Sequence, residues 1–263
     1  MQKWQWLWII LLASWFNLAW AGTTCESIKV DPRVLSRASE QALALKQTLD
    51  RFKPKVALLA RVGSDVSKYG MHYTHMAFVV KNYPGAEGQW TVIHLLNQCG
   101  TSQSNIYAQG LANFFMDDLF SLDYQLTLLK PALQTKLYAL LTSPLKLSLH
   151  NNSYNMLAYP FSNEYQNSNQ WVLEVITAAN NASASREQVQ EILTETGYVP
   201  TKIDIGGMSK FGAQFFRNNI KFDDHPQNEQ SSGKYSVVSV NSVIAYLKLQ
   251  GLLVSNQNYT DRP

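Results

Sequence analysis

The chain has 263 residues, a net charge of +3 at pH 7 and 46% hydrophobic residues. A balance so close to neutral makes no electrostatic case for nucleic acid as a partner. The length allows one domain with a sizeable core, or two small ones.

The first residues read as an export signal. Lys3 supplies the positive charge, Leu7 to Leu12 form an apolar core, and Ala19-Trp20-Ala21 has the small-x-small form that precedes a cleavage site. Residues 1–21 are therefore expected to be a signal peptide, and 22–263 a single domain in the periplasm or outside the cell. Asn17 interrupts the apolar stretch, which is short for a membrane span, and no later segment is long and apolar enough to cross a bilayer. A lipoprotein reading is weaker, because Gly22-Thr23-Thr24 lacks an apolar residue three positions before Cys25. Removing Lys3 lowers the net charge by one, and Trp90 and Trp171 are the tryptophans left after the leader. Cys25 and Cys99 form an even pair, which in an oxidising compartment predicts one disulfide.

Asp31-Pro32 opens a helix, with Asp31 as its cap and Pro32 in its first turn. Val34, Leu35, Ala38, Ala42, Leu45, Leu49 and Phe52 recur at helical spacing, and Pro54 ends the run. Residues 56–62 read as a buried strand, and 74–81 and 89–96 as two more, joined as a β-hairpin by the turn at 83–88. Helices are expected over 131–141, 167–179 and 185–196. The last carries Ser185 and Gln188 at capping-box spacing and stops at Gly197. Residues 235–240 read as a strand and 241–249 as a terminal helix, while 180–185 and 226–233 read as polar loops. The pattern predicts one α+β domain, an antiparallel sheet with packed helices.

Three segments carry candidate chemistry. His75 opens a strand of nearly all apolar residues and shares a face with Ala77 and Val79. Such a histidine is either a packed core residue or a general base tuned by its surroundings. His94 lies in the partner strand. If the register sets Ala77 opposite His94, the two histidines are diagonal neighbours on one face, about 7–8 Å apart. A slip of one residue sends them to opposite faces. Asn167-Ser168-Asn169-Gln170 then starts a helix, with Asn167 as cap and Gln170 placed to reach back to it. Ser168 falls in the first turn, among free N–H groups at the positive end of the helix dipole, where developing negative charge is favoured. Serine is also an ordinary residue at a helix start.

The order of these pieces resembles circularly permuted papain-like proteins, the NlpC/P60 and lecithin-retinol-acyltransferase-like families. The matching features are a strand histidine in Thr-His-Met-Ala-Phe-Val-Val, a second polar strand residue, and a later helix opening Asn-Ser-Asn-Gln-Trp-Val. That resemblance implies a permuted papain-like (NlpC/P60-like) architecture. It makes His75 the base, His94 the orienting residue and Ser168 the nucleophile. Those families use cysteine at the last position, and a serine hydroxyl depends wholly on its base.

A longer resemblance is to an uncharacterised family of exported bacterial proteins, domain of unknown function 2145. It rests on residues 59–65 with 69–75, 94–101, 159–162 with 165–174, and Phe-Asp-Asp-His-Pro at 222–226. It implies no particular activity.

Two functional readings follow. The first is a non-catalytic envelope protein whose groove near His75 and Ser168 binds a peptide, a cell-wall fragment or a lipid-derived ligand. The alternative is a hydrolase or acyltransferase acting on amide or ester bonds, with Ser168, His75 and His94 in the roles above. Neither reading calls for a cofactor or metal. His72 and His75 would face opposite ways in a strand, and no carboxylate lies at ligand spacing. Arg61 is expected to form a surface ion pair rather than to bind a substrate carboxylate. Residues 222–226 are expected to be a polar turn, with His225 or Asp224 at the site rim as the alternative. The aromatic stretch 111–120 is expected to be mostly core, or to wall an apolar groove.

Overall fold

A computed structural model describes residues 31–117, 119–206 and 218–261. The expected signal peptide and Cys25 lie outside these residues, and with Cys25 the expected Cys25–Cys99 pairing. The described residues open with helix α1 (Pro32–Phe52), whose Asp31 cap accepts from the Arg33 N–H at 2.8 Å. Lys53, with φ near 50°, terminates it just before Pro54. Of the apolar residues at helical spacing, Ala38, Ala42, Leu45 and Leu49 are buried, whereas Val34, Leu35 and Phe52 remain exposed.

Strands β1 (Val56–Val62), β2 (His75–Lys81) and β3 (Trp90–Asn97) follow at the expected places. The next strands are β4 (Ser104–Gly110) and β5 (Ser121–Leu129), with the short helix α2 (Leu111–Phe115) between them, and the last is β8 (Leu253–Tyr259). Together these six strands form one sheet in the order β4-β3-β2-β1-β5-β8, and every pair in it is antiparallel. Helices α3 (Pro131–Leu141), α4 (Ser168–Ala178), α5 (Arg186–Glu195), α6 (Gln227–Ser232) and α7 (Val240–Leu249) complete the domain. A two-stranded sheet of β6 (Thr201–Asp204) and β7 (Lys234–Val237) stands beside them.

Strand alternation divides the core into two layers. Ala57, Leu59, Ala77, Val79 and Val92 face α1 and α2, where they meet Leu45, Leu49, Phe114 and Phe115. Leu58, Met76, Phe78 and Ile93 face the other way, onto Leu133 and Leu137 of α3 and Trp171 and Val175 of α4. The continuous burial of β1 is the consequence of helices on both sheet faces.

One local expectation is corrected. Residues 226–233 are not a polar loop, since Gln227–Ser232 is helical. This helix has no apolar stripe to announce it. Its inward residue is Glu229, which accepts from the Ser236 N–H at 2.9 Å and faces His225 Nδ1 at 3.0 Å. Residues 222–226 do form a turn, with the His225 N–H on the Phe222 carbonyl at 3.3 Å, and Phe222 and His225 are buried within it. The capping box of α5 forms with both reciprocal bonds.

Candidate active site

The hairpin register decides where the histidines lie. Phe78 pairs with Ile93, Val79 with Val92 and Val80 with Thr91, so one further step sets Ala77 opposite His94. His75 and His94 are therefore diagonal neighbours on the α1/α2 face. Their rings stand 5.2 Å apart between centroids, and His75 Nε2 lies 3.0 Å from His94 Nδ1.

Helix α4 approaches the start of β2 from the opposite layer. Asn167 caps it, accepting from the Gln170 N–H at 2.8 Å. Gln170 does not reach back as expected. Its amide turns inward and donates to Glu174 Oε1 at 3.1 Å. Glu174 is fully buried and also takes Arg186 Nε at 2.9 Å and Nη2 at 3.0 Å, an ion pair that anchors α4 to α5. The side chain of Asn169 accepts from the Met76 N–H at 2.9 Å and donates to the Thr74 carbonyl at 3.1 Å. These are the main-chain groups on either side of His75. With that junction fixed, Ser168 Oγ sits 3.0 Å from His75 Nδ1.

The structure thus brings Ser168, His75 and His94 into one line of contacts, which Gln109 of β4 extends. His94 Nε2 lies 3.1 Å from Gln109 Oε1. Tyr154, nearly buried, lies beside Ser168. At the first turn of α4 the N–H groups of Ser168 and Asn169 have no acceptor within the helix, and they carry the positive end of its dipole.

The electrostatics favour neutral imidazoles. Burial, then the Arg61 guanidinium, then His94 hold His75 well below its ordinary value. Burial and Arg61 lower His94 to about 4, against a smaller opposing effect of the Gln109 contact. Burial pushes the Tyr154 hydroxyl up to about 12, so it stays protonated and able to donate.

Arg61 forms an ion pair, as expected, but its own side chain is buried, only 5% exposed, while its partner Asp117 is open to solvent. It lies opposite His75 in the β1–β2 ladder, bonds Asp117 and the Phe114 carbonyl, and stacks over the Phe114 ring at 4.6 Å. His72 is separate from the site and exposed, 3.0 Å from Asp123. His225 and Asp224 are not joined to it either. His225 contacts Glu229 and, at 2.7 Å, the Leu157 carbonyl, while Asp224 accepts from the Tyr159 N–H at 2.7 Å. In the aromatic stretch, Leu111, Phe114 and Phe115 are core, and Phe114 packs against both His75 and His94. Among the described residues, no group of three or more histidine, cysteine, aspartate or glutamate side chains could hold a metal ion.

Sequence reasoning missed Gln109, Tyr154 and the bracing role of Asn169. Gln109 needed the β3–β4 register, which sets it opposite Val92 and hence on the His94 face. No local pattern points to Tyr154.

The family model described as "Uncharacterized protein conserved in bacteria (DUF2145)" matches residues 48–247. The chain belongs to this bacterial family. The match takes in His75, His94, Gln109, Tyr154 and Ser168, so the whole site lies within the family's domain. No curated protein and no solved structure matches the chain.

Proposed function

We propose that this member of the family is a serine-nucleophile hydrolase or acyltransferase acting on amide or ester bonds. The observation that carries the reading is the 3.0 Å contact between Ser168 Oγ and His75 Nδ1, backed by the 3.0 Å contact between His75 Nε2 and His94. A binding groove does not need that alignment, whereas a serine nucleophile does.

Ser168 Oγ attacks the substrate carbonyl carbon as its proton passes to His75 Nδ1. His94 holds the imidazole and stabilises the imidazolium that forms. The N–H groups of Ser168 and Asn169, with the Tyr154 hydroxyl, are the donors for the oxyanion. Collapse breaks the bond to the amine or alcohol, which takes the proton back from His75 and leaves an acyl group on Ser168. Water or a second acceptor then releases the acyl group by the same steps in reverse.

The chain order, with a base on an early strand and a nucleophile on a later helix, supports a permuted papain-like architecture in which serine replaces cysteine. Export by residues 1–21, a periplasmic or secreted location and a Cys25–Cys99 disulfide complete the reading. They make cell-wall peptides and lipid-linked acyl groups the substrates to try first.

The second reading is the non-catalytic one, in which the groove binds such a ligand without reacting. The observation in its favour is the low exposure of Ser168, 7%. Activated esters separate the two. The enzyme releases a burst of the leaving alcohol or phenol equal to the protein present, with the acyl group recovered on Ser168. A binding protein gives neither.

A further inference from the structure

We propose that Gln109 is a positioning residue that sets the direction of the whole hydrogen-bond line, and with it whether His75 is able to act as a base. The proposal rests on the reading of Ser168 as nucleophile and adds the control of that site.

The argument starts at the far end of the line. A carbonyl oxygen only accepts, so the contact of Gln109 Oε1 with His94 Nε2 places the proton on Nε2. A neutral imidazole carries one proton, so His94 Nδ1 is then an acceptor. The partner across its 3.0 Å contact, His75 Nε2, must donate. This leaves His75 Nδ1 unprotonated and facing the Ser168 hydroxyl at 3.0 Å. Both histidines are held neutral by burial and by Arg61, so the one-proton count applies to each.

Turning the Gln109 amide by half a rotation reverses every step. Its NH2 would donate to His94 Nε2, His94 Nδ1 would donate to His75 Nε2, and His75 Nδ1 would donate to Ser168. The same three contacts would exist, but the imidazole would have no lone pair for the serine proton. One amide on the edge strand β4 therefore selects between a competent and an incompetent tautomer of a residue it does not touch. Gln109 is half-buried at that edge, so a ligand laid along β4 could address it directly.

The test uses ring-15N-labelled protein without substrate, followed by the pH dependence of Ser168 labelling by a fluorophosphonate. Wild-type protein is expected to show both His75 and His94 as Nε2–H tautomers. Gln109→Glu only accepts, so it should keep both tautomers and move the acid limb of labelling to higher pH, since a carboxylate favours protonation of His94. Gln109→Leu should lose the fixed tautomers and slow labelling about tenfold or more without losing the fold. Nδ1–H tautomers in the wild type overturn the proposal, as does a Gln109→Leu protein with unchanged tautomers and an unchanged pH profile. The tautomers are read without any reaction. A wild type with the expected tautomers that never labels therefore upholds the role of Gln109 and sinks the nucleophile assignment alone.

Discussion

Asn169 grips the main chain on both sides of His75, taking the Met76 N–H at 2.9 Å and giving to the Thr74 carbonyl at 3.1 Å. The residue beside the nucleophile thus fixes the backbone of the base, and helix and sheet meet where the chemistry needs them. Asn169→Ala leaves those main-chain groups unpaired, at about 1–3 kcal/mol for each that stays buried. The expected outcome is a urea midpoint lowered by roughly 2–3 kcal/mol of stability, with slower labelling of Ser168 at a temperature where the variant is still folded. Asn169→Asp keeps the Met76 contact but sets a carboxylate against the Thr74 carbonyl, so it should not rescue.

Arg61 sits across the ladder from His75 and lowers the pKa of both site histidines. Arg61→Gln should raise both. The neutral base is then lost at a higher pH, so the acid limb of the activity profile moves up. Titration of the histidine ring signals by NMR reads this shift without a substrate. The same change strips a partner from the Phe114 carbonyl, for an expected loss of about 1–3 kcal/mol.

Stability itself should depend on pH through the same pair. His94 is lowered to about 4 in the folded protein from an ordinary value of 6.5, and His75 is lowered as well. Between those values the unfolded chain binds more protons than the folded one. The contribution is therefore fully present above pH 6.5 and is lost as the pH falls toward 4. For His94 it is on the order of 3 kcal/mol. Urea midpoints measured from pH 7.5 to 4 should fall across this window, and the slope should flatten in His94→Gln.

Glu174 offers a test of the scaffold rather than of the chemistry. It is fully buried and holds Arg186, itself almost buried, through two contacts. Glu174→Ala leaves a guanidinium without its counter-charge and should cost about 3–5 kcal/mol, measured by urea denaturation. Replacing both residues by leucine should recover much of that loss.

The site residues are legible in the sequence by type and by element, whereas the hairpin register that joins the two histidines is not. Strand geometry places His75 with Ala77 and Val79, but the pairing that brings His94 to the same face came only from the structure, because both strands are buried on both faces and a slip of one residue would bury as much. Asn167 and Ser168 announce a helix start by their residue types. The elements that escaped lack such signals. β8 is an edge strand of largely polar residues, and α6 is held by the Glu229 carboxylate instead of an apolar stripe. β4 shows only partial burial. Gln109 and Tyr154 reach the site through tertiary contacts, from β4 and from the loop before α4. No spacing along the chain relates either of them to Ser168. The burial of Arg61 escaped because it depends on the Phe114 carbonyl and Asp117, contributed by helix α2 and the residues just after it, more than fifty positions later.

Reaction of the folded protein with a fluorophosphonate, with the adduct located by mass spectrometry, tests the central claim most directly. The account predicts one adduct on Ser168, absent in Ser168→Ala and formed roughly 10³-fold more slowly in His75→Ala. A wild-type protein that stays unmodified at Ser168, or a His75→Ala protein that labels there at the wild-type rate, would contradict it.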